Sequence, residues 1–180
     1  DSSVSGVDGP VYPGTCRAGL PEGRAPRVWR VRVNGRGIEF VDAVQGRVVR
    51  DMAADFGDFV VRRADGYFAY QLAVVVDDAE QVISEVVRGA DLIESTPRQM
   101  HLQNLLGLPT PDYLHLPVAL SQQREKLSKQ TFATPADVAR PVPMLYQVLR
   151  FLGQDPPPSL AESNLEDFWH WAVTHWDVRR

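Results

Sequence analysis

The sequence contains few lysines, a single cysteine and no long apolar run. Seventeen of the nineteen basic residues are arginine, and both lysines, Lys126 and Lys129, fall within one pentapeptide. Because Cys16 is the only cysteine, an internal disulfide is excluded, and the composition suits a reducing compartment. The most apolar segment, residues 72–76, is far shorter than the roughly 18 residues of a membrane-spanning helix. We therefore expect neither a disulfide-stapled domain nor a helical membrane protein.

The N-terminal residues and the net charge indicate the cellular location and the kinds of binding partner to expect. The first residues show neither the basic nor the apolar segment of a signal peptide, so we expect a cytoplasmic location. The chain lacks an initiator Met, which is typical of a fragment or a processed piece. A net charge of −4 argues against a broad basic surface for nucleic acid, although it leaves a local basic groove open.

Hydrophobic periodicity predicts a mixed α/β chain. Strands are expected over residues 28–33 and 38–44, paired as a hairpin, and over 58–63, 67–76 and 113–120. The unbroken apolar run within 67–76 favours a strand buried on both faces of a parallel sheet. Helices are expected over 96–106, over 143–152 and from residue 163 onward, whereas 80–87 fits either a helix or a strand.

Capping residues mark two of these helices. Thr96 is the predicted N-cap of the first, with Gln99 three residues later and Gly107 as its stop. Ser163 and Glu166 have the spacing of a capping box at the start of the last helix.

Five sequence blocks occur in an order that resembles a known family. They cover residues 65–78, 87–92, 95–99, 113–117 and 126–130. Together they resemble the second half of the catalytic domain of glutamyl-type class I aminoacyl-tRNA synthetases, and residues 126–130 look like the KMSKS-type loop of that family. The resemblance implies an α/β fold: part of a Rossmann-type catalytic domain with a β-containing insertion and a C-terminal helical piece.

The resemblance also implies a division of the chain. Residues 1–27 would be a loop with the remnant of a zinc-binding segment, and 28–120 the insertion and the second half of the catalytic domain. Residues 121–135 would be the KMSKS-like loop, and 136–180 the C-terminal helical region.

Three features resemble the glutamyl-Q branch of this family more than its full glutamyl-tRNA synthetases. They are Gln130 at the end of the signature loop, the segment 88–92, and a chain that ends soon after residues 151–153. Two features depart from the family pattern. The half that carries the HIGH-type motif is absent from these 180 residues, and Val82 stands where relatives commonly have Gly.

The implied reaction activates glutamate with ATP and Mg²⁺ as glutamyl-adenylate. The glutamyl group would then pass to queuosine at the wobble position of tRNA(Asp), with the anticodon stem-loop as the RNA partner and the protein acting as a monomer. Two alternatives stay open: a fragment of an ordinary glutamyl-tRNA synthetase that charges the tRNA 3′ end, and a non-catalytic domain that binds glutamate or RNA.

The lysine pair has two interpretations. By composition alone, Lys126 and Lys129 are either a chance pairing on a solvated loop or a deliberate use of compact ammonium groups. The resemblance implies that Lys129 contacts the ATP phosphates and stabilises the negative charge that develops as pyrophosphate leaves. Lys126 would support the loop and help to stabilise the same charge, and Ser128 would donate a hydrogen bond to ATP.

Arg88 and Tyr70 are the residues that the resemblance assigns to glutamate. A buried arginine needs an anionic partner, which is either a substrate carboxylate held by a forked contact or a structural salt bridge with Asp91. The Tyr70 hydroxyl would touch the same glutamate, whereas the structural alternative is a core tyrosine with a satisfied hydroxyl.

Tyr12 and Cys16 match the last two ligands of the zinc site found in the family. Zinc normally takes four ligands, so this chain would supply only half of the site. By itself the spacing is equally typical of a free thiol on a loop.

Five other titratable residues are interpreted as structural. Asp77 and Asp78 follow an apolar run, as turn or capping residues do. His170 and His175 are five residues apart, whereas helical metal ligands prefer a spacing of four. His115 lies in a buried-strand pattern and is expected to be structural, at the border of the nucleotide site.

Overall fold

A computed structural model describes residues 4–35, 37–121, 123–127 and 137–178. It divides into two compact units, Asp1–His115 (unit 1) and Leu116–Arg180 (unit 2). Within the described ranges, no helix is both long and apolar enough to cross a membrane.

Unit 1 combines short two-stranded sheets with two helices. The strand pairs are β1 (Ser5–Gly6) with β2 (Gly9–Pro10), β3 (Trp29–Val31) with β6 (Phe59–Arg62), β4 (Gly37–Asp42) with β5 (Gly46–Asp51), and β7 (Glu85–Gly89) with β8 (Asp112–Leu116). The helices are α1 (Tyr70–Glu80) and α2 (Ser95–Leu106), with a π-helix at Met52–Phe56 and a 3₁₀ turn at Ala90–Leu92. Asp112–Leu116 is the start of the strand expected over 113–120, and Pro117, which lacks an N–H, follows its end.

The β4–β5 hairpin brings a carboxylate into the interior. Residues of β4 alternate between exposed and buried, so Ile38, Phe40 and Asp42 all point inward. Three residues separate the paired Asp42 and Gly46, and Gly46 has φ +76°, the left-handed conformation that such a loop needs. Asp42 therefore ends the inner face of a strand whose other inward side chains are apolar.

The predicted hairpin between residues 28–33 and 38–44 is wrong. β3 pairs instead with β6, in antiparallel register. Just after β3, the chain is bound to the residue that precedes β6: the buried Asp58 carboxylate accepts a hydrogen bond from Val33 N at 2.8 Å. Local turn signals could not reveal this contact across 25 residues.

The predicted strand over residues 67–76 is also wrong, because most of this segment lies in helix α1. A short apolar run does not by itself distinguish a buried strand from a buried helix. In the structure Val75 is buried in the core, with Leu72 and Val74 packed beside it. Contacts with α2 and the core therefore override the strand preference of the valines.

Helix α2 begins one residue before the predicted N-cap. Ser95 is its first residue, so Thr96 lies inside the helix, where its hydroxyl bonds to Arg88 and His115. Gly107 ends the helix at φ +66°, as predicted. The threonine that looked like a cap thus belongs to the interior polar network described below.

Val82, just after α1, adopts an unusual backbone conformation. Its φ is +56°, and its side chain is 84% exposed. A β-branched residue is disfavoured there, whereas glycine adopts it at little cost. Glycine would therefore fit this backbone conformation better than valine does.

Unit 2 contains α3 (Pro141–Phe151), a 3₁₀ turn at Pro158–Glu162 and α4 (Leu165–His175). The cap of α4 lies one residue later than predicted, because Asn164 accepts a hydrogen bond from Asp167 N while Ser163 donates to Leu160 O. Phe168 is buried in the core that joins α3 to α4.

Candidate functional site

Arg88 lies at the centre of a polar network in unit 1. Its Nε donates to His115 Nε2 at 3.0 Å, and its Nη2 donates to Thr96 Oγ1 at 2.8 Å and Gln99 Oε1 at 2.9 Å. β7 carries the arginine, β8 the histidine, and α2 the other two acceptors. None of these three acceptors is a carboxylate, so the hydrogen bonds orient the guanidinium without neutralising it.

The neighbours of His115 define its tautomer. A guanidinium nitrogen can only donate, so Nε2, which faces Arg88, must be the unprotonated nitrogen. The proton then lies on Nδ1, which is 2.6 Å from Asp42 Oδ2. Both the histidine and aspartate side chains are fully buried. The imidazole therefore connects a carboxylate to the guanidinium through one donor and one acceptor.

The Asp42 carboxylate is fixed by the hairpin backbone. Its Oδ1 accepts hydrogen bonds from the N–H groups of Gln45, Val44 and His115. Burial by itself would raise the pKa of Asp42, but these backbone bonds and the His115 ring hold the pKa below its usual value. Asp42 is consequently a negative charge in the interior, and its position leaves it little freedom.

Two glutamines extend the network from α2 to α1. Gln99 donates to Gln71 Oε1 at 2.9 Å, and Gln71 donates to Ser95 Oγ at 3.0 Å. Helix α1 thereby contacts the same group of side chains that binds Arg88. The network links β4, β7, β8, α1 and α2.

The buried phenol of Tyr113 lies beside Arg88. Burial raises the pKa of Tyr113, a hydrogen bond from Gln103 and the charge of Arg88 oppose that rise, and Asp78 and Tyr70 add to it. The guanidinium of Arg88 lies 5.5 Å from the Tyr113 ring centroid. Tyr70, at the start of α1, is 51% exposed and is therefore not the core tyrosine of the structural alternative.

The hydrogen bonds that Arg88 already makes limit how it could form the predicted forked contact with a substrate carboxylate. Nε and Nη2 are engaged by protein acceptors, and Nη1 makes no hydrogen bond to the described residues. A forked contact needs two adjacent N–H groups. A carboxylate could therefore bind Nη1 without rearrangement, whereas a forked contact through Nη1 and Nη2 requires Thr96 or Gln99 to release Nη2.

The predicted ATP-binding loop is only partly described. Ser128 and Lys129 lie outside the described residues. Lys126 belongs to unit 2, where its backbone forms an antiparallel bridge with Leu120. The roles of all three residues stay predictions.

Tyr12 and Cys16 are brought together. The Cys16 N–H donates to the Tyr12 hydroxyl at 2.8 Å, and the Cys16 side chain is an exposed free thiol. Among the described residues, no group of three or more His, Cys, Asp or Glu side chains could hold a metal. The contact joins the Tyr12 hydroxyl to the backbone of Cys16 and does not involve the thiol. A role for these two residues as zinc ligands stays a prediction.

A cavity beside these two residues is lined by arginines. It encloses about 500 Å³, and five arginines contribute to its wall: Arg17, Arg24, Arg27, Arg30 and Arg32. Asp58 is its one acidic residue and is already paired with Arg17, whose guanidinium holds the pKa of that carboxyl below its usual value. The cavity wall therefore has a marked excess of positive charge.

A count of charge by segment indicates the basic character of this region from the sequence. Residues 17–36 contain six arginines and one acidic residue, a formal charge of +5 in a chain whose total is −4. The interior network gave no comparable signal. The sequence marks Thr96 and Gln99 only as capping residues, and it does not mark Asp42. The tertiary structure places Thr96 and Gln99 against Arg88, and Asp42 against His115.

Comparison with known proteins identifies the family. The sequence matches the catalytic domain of class I tRNA synthetases (E and Q) over residues 19–141. The chain belongs to this family. The predicted fold class is thereby confirmed, as part of a class I synthetase catalytic domain.

The curated relatives carry a more specific name. A glutamyl-Q tRNA(Asp) synthetase from Aromatoleum aromaticum is 54% identical over 99% of this chain and 56% of the relative. One from Dechloromonas aromatica is 56% identical over 94% of this chain and 57% of the relative. The chain thus spans a little over half the length of these relatives.

Solved structures support the fold independently. The crystal structure of a glutamate–tRNA synthetase from Elizabethkingia anophelis matches with a TM-score of 0.70 and 22% identity, covering 93% of this chain and 40% of that protein. A glutamate tRNA ligase from Elizabethkingia meningosepticum matches with a TM-score of 0.68 and 21% identity, covering 93% of this chain and 39% of the other.

Proposed function

We propose that this chain is part of an enzyme that activates glutamate with ATP and transfers it to queuosine at the wobble position of tRNA(Asp). The observation that carries the proposal is the name shared by relatives that are 54% and 56% identical over nearly the whole chain. ATP and Mg²⁺ are the reactants expected of a class I synthetase, and Lys129, Lys126 and Ser128 are proposed to contact ATP.

The Arg88 network supports the glutamate part of the proposal. The three side chains that accept hydrogen bonds from Arg88 are not carboxylates, so these bonds orient the guanidinium without neutralising it. Burial raises the pKa of Asp78 and the charge of Arg88 opposes that rise, but Asp78 forms no hydrogen bond with Arg88 among the described residues. Tyr70 lies at the start of α1 with half of its surface exposed, so its hydroxyl is accessible to a substrate. We propose that these two side chains bind glutamate.

The arginine-lined cavity supports an RNA acceptor. Guanidinium groups bind phosphate oxygens well, and their effect is local here because the chain as a whole is acidic. A hairpin loop of RNA offers an unstacked base that an enzyme can grip. We therefore propose the anticodon stem-loop, rather than the whole tRNA, as the principal RNA partner. The cytoplasmic location and the monomeric state stay predictions.

The acceptor can be tested directly. With the complete catalytic domain, tRNA(Asp) that contains queuosine should accept glutamate, and so should its isolated anticodon stem-loop. The same tRNA with unmodified guanosine at the wobble position should not, because it lacks the cyclopentenediol hydroxyl. Removal of the 3′-terminal adenosine should leave acceptance unchanged. The measurement is incorporation of labelled glutamate into RNA.

Unmodified tRNA(Glu) is the matched comparison. Charging of its 3′ end, abolished when the terminal adenosine is removed, would instead identify an ordinary glutamyl-tRNA synthetase. A complete catalytic domain that neither activates glutamate nor modifies either tRNA would favour the non-catalytic alternative.

We further propose that Tyr12 and Cys16 hold half of a structural zinc site. A thiolate and a phenolate are suitable zinc donors, and zinc would tie the first loop to the remaining ligands. Elemental analysis of the complete catalytic domain should find about one zinc per chain. Cys16→Ser should lower that content, and the 180-residue chain should bind zinc only weakly. Stoichiometric zinc in the 180-residue chain would show that further ligands lie within it.

A further inference from the structure

We infer that Asp42 and His115 are positioning residues for Arg88, which they orient toward the substrate carboxylate through the imidazole ring. The inference rests on the proposed glutamate-binding role of Arg88. It assigns a function to His115, which the sequence alone marks as structural, and to Asp42, for which the sequence suggests no role. Neither of them needs to touch glutamate.

The chain of contacts has a defined direction. Backbone N–H groups of the β4–β5 hairpin fix Asp42, and Asp42 fixes the Nδ1–H tautomer of His115. That tautomer presents the Nε2 lone pair to Arg88 Nε. The opposite tautomer would place an N–H group against the guanidinium, so Asp42 determines whether the contact attracts or repels.

An imidazole between the two charges has a physical advantage over a direct ion pair. A carboxylate in contact with the guanidinium would have to be displaced by the substrate carboxylate. The uncharged ring instead orients Arg88 while Asp42 remains one residue away. Thr96 and Gln99, both buried, accept the hydrogen bonds from Nη2 and orient that side of the guanidinium.

Asp42→Asn tests the inference with little change of shape. The amide oxygen can still accept the hairpin N–H groups, which leaves the amide N–H₂ facing Nδ1 and forces the wrong tautomer. We expect the KM for glutamate to rise about tenfold in ATP–pyrophosphate exchange by the complete catalytic domain, with the KM for ATP changed by less than about twofold.

Glu94→Gln is the matched control. It also converts a carboxylate to an amide within unit 1, and it breaks the partly buried ion pair with Arg50 without touching the Arg88 network. We expect it to leave both KM values unchanged. Urea unfolding of both variants would show that any difference in KM is not a difference in folding.

Variants of His115 provide a rescue series. His115→Gln keeps an acceptor for Arg88 Nε, whereas His115→Leu leaves that partly buried donor without this acceptor. Glutamine should therefore retain a lower glutamate KM than leucine. Equal KM values for these two variants would overturn the positioning role.

A spectroscopic measurement separates this inference from the proposed function. Nitrogen-15 NMR of the 180-residue chain should show His115 with the proton on Nδ1, and Asp42→Asn should move it to Nε2. The tautomer can be observed whether or not the enzyme activates glutamate. If the proposed function is wrong but the inference about the tautomer is right, the unaltered protein will be inactive and His115 will still carry its proton on Nδ1. An Nε2–H tautomer in the unaltered chain, or equal changes in the KM for ATP and glutamate, would overturn the inference.

Discussion

Replacing Lys129 with alanine is expected to lower glutamate-dependent ATP–pyrophosphate exchange by about 100-fold or more. The substitution removes an ammonium proposed to stabilise the charge that develops as pyrophosphate leaves, and one such contact has an effect of this size. The prediction depends on the resemblance of residues 126–130 to a KMSKS-type loop and on the scarcity of lysine elsewhere. The rate of exchange is measured with the complete catalytic domain at saturating glutamate and ATP.

Arg124→Ala is the control for loss of a nearby cation. Arg124 is exposed and lies five residues before Lys129 in the sequence, so its removal should change the rate by no more than about twofold. Lys129→Arg tests geometry, because a planar guanidinium restores the charge but not the compact ammonium. An unchanged rate for Lys129→Ala would remove this residue from the mechanism.

Replacing Arg88 with alanine should raise the KM for glutamate by about 10- to 100-fold, which corresponds to the loss of one charge-assisted hydrogen bond to a substrate carboxylate. The KM for ATP should change little, because the proposed contact is with glutamate alone. Arg88→Lys should rescue poorly, since one ammonium cannot bond to His115 and Thr96 and also reach the substrate. Steady-state exchange kinetics give both KM values.

Arg50→Ala provides the matched control, because Arg50 is a partly buried arginine of the same unit that pairs with Glu94 instead. We expect it to leave the glutamate KM unchanged. If Arg88→Ala weakened ATP and glutamate to the same degree, the result would indicate damage to the fold and contradict a specific role in glutamate binding.

The family could be predicted from the residues alone. The ordered blocks around Arg88, Tyr70 and the lysine loop predicted a class I synthetase fold, and the match over residues 19–141 confirms it. Short-range signals also located several boundaries, among them Gly107 at the end of α2 and the start of β8 near Tyr113. These features depend on residue type and spacing, which a sequence contains explicitly.

Two other features depend on contacts between residues that are distant in sequence or between packed helices. Residues 70–76 form a helix because the core and α2 receive their apolar side chains, although the same run satisfies a buried strand. β3 pairs with β6, and Asp58 holds Val33, which lies 25 positions before it in the sequence.

The interior network shows the same limit at the candidate site. Asp42 and His115 are 73 residues apart in sequence, yet their side chains meet in the interior beside Arg88. Nothing in the local pattern of either residue records that contact. A sequence specifies which groups can bond, whereas only the packing of β4, β7, β8 and α2 determines which of them meet, because burial leaves each polar group few partners.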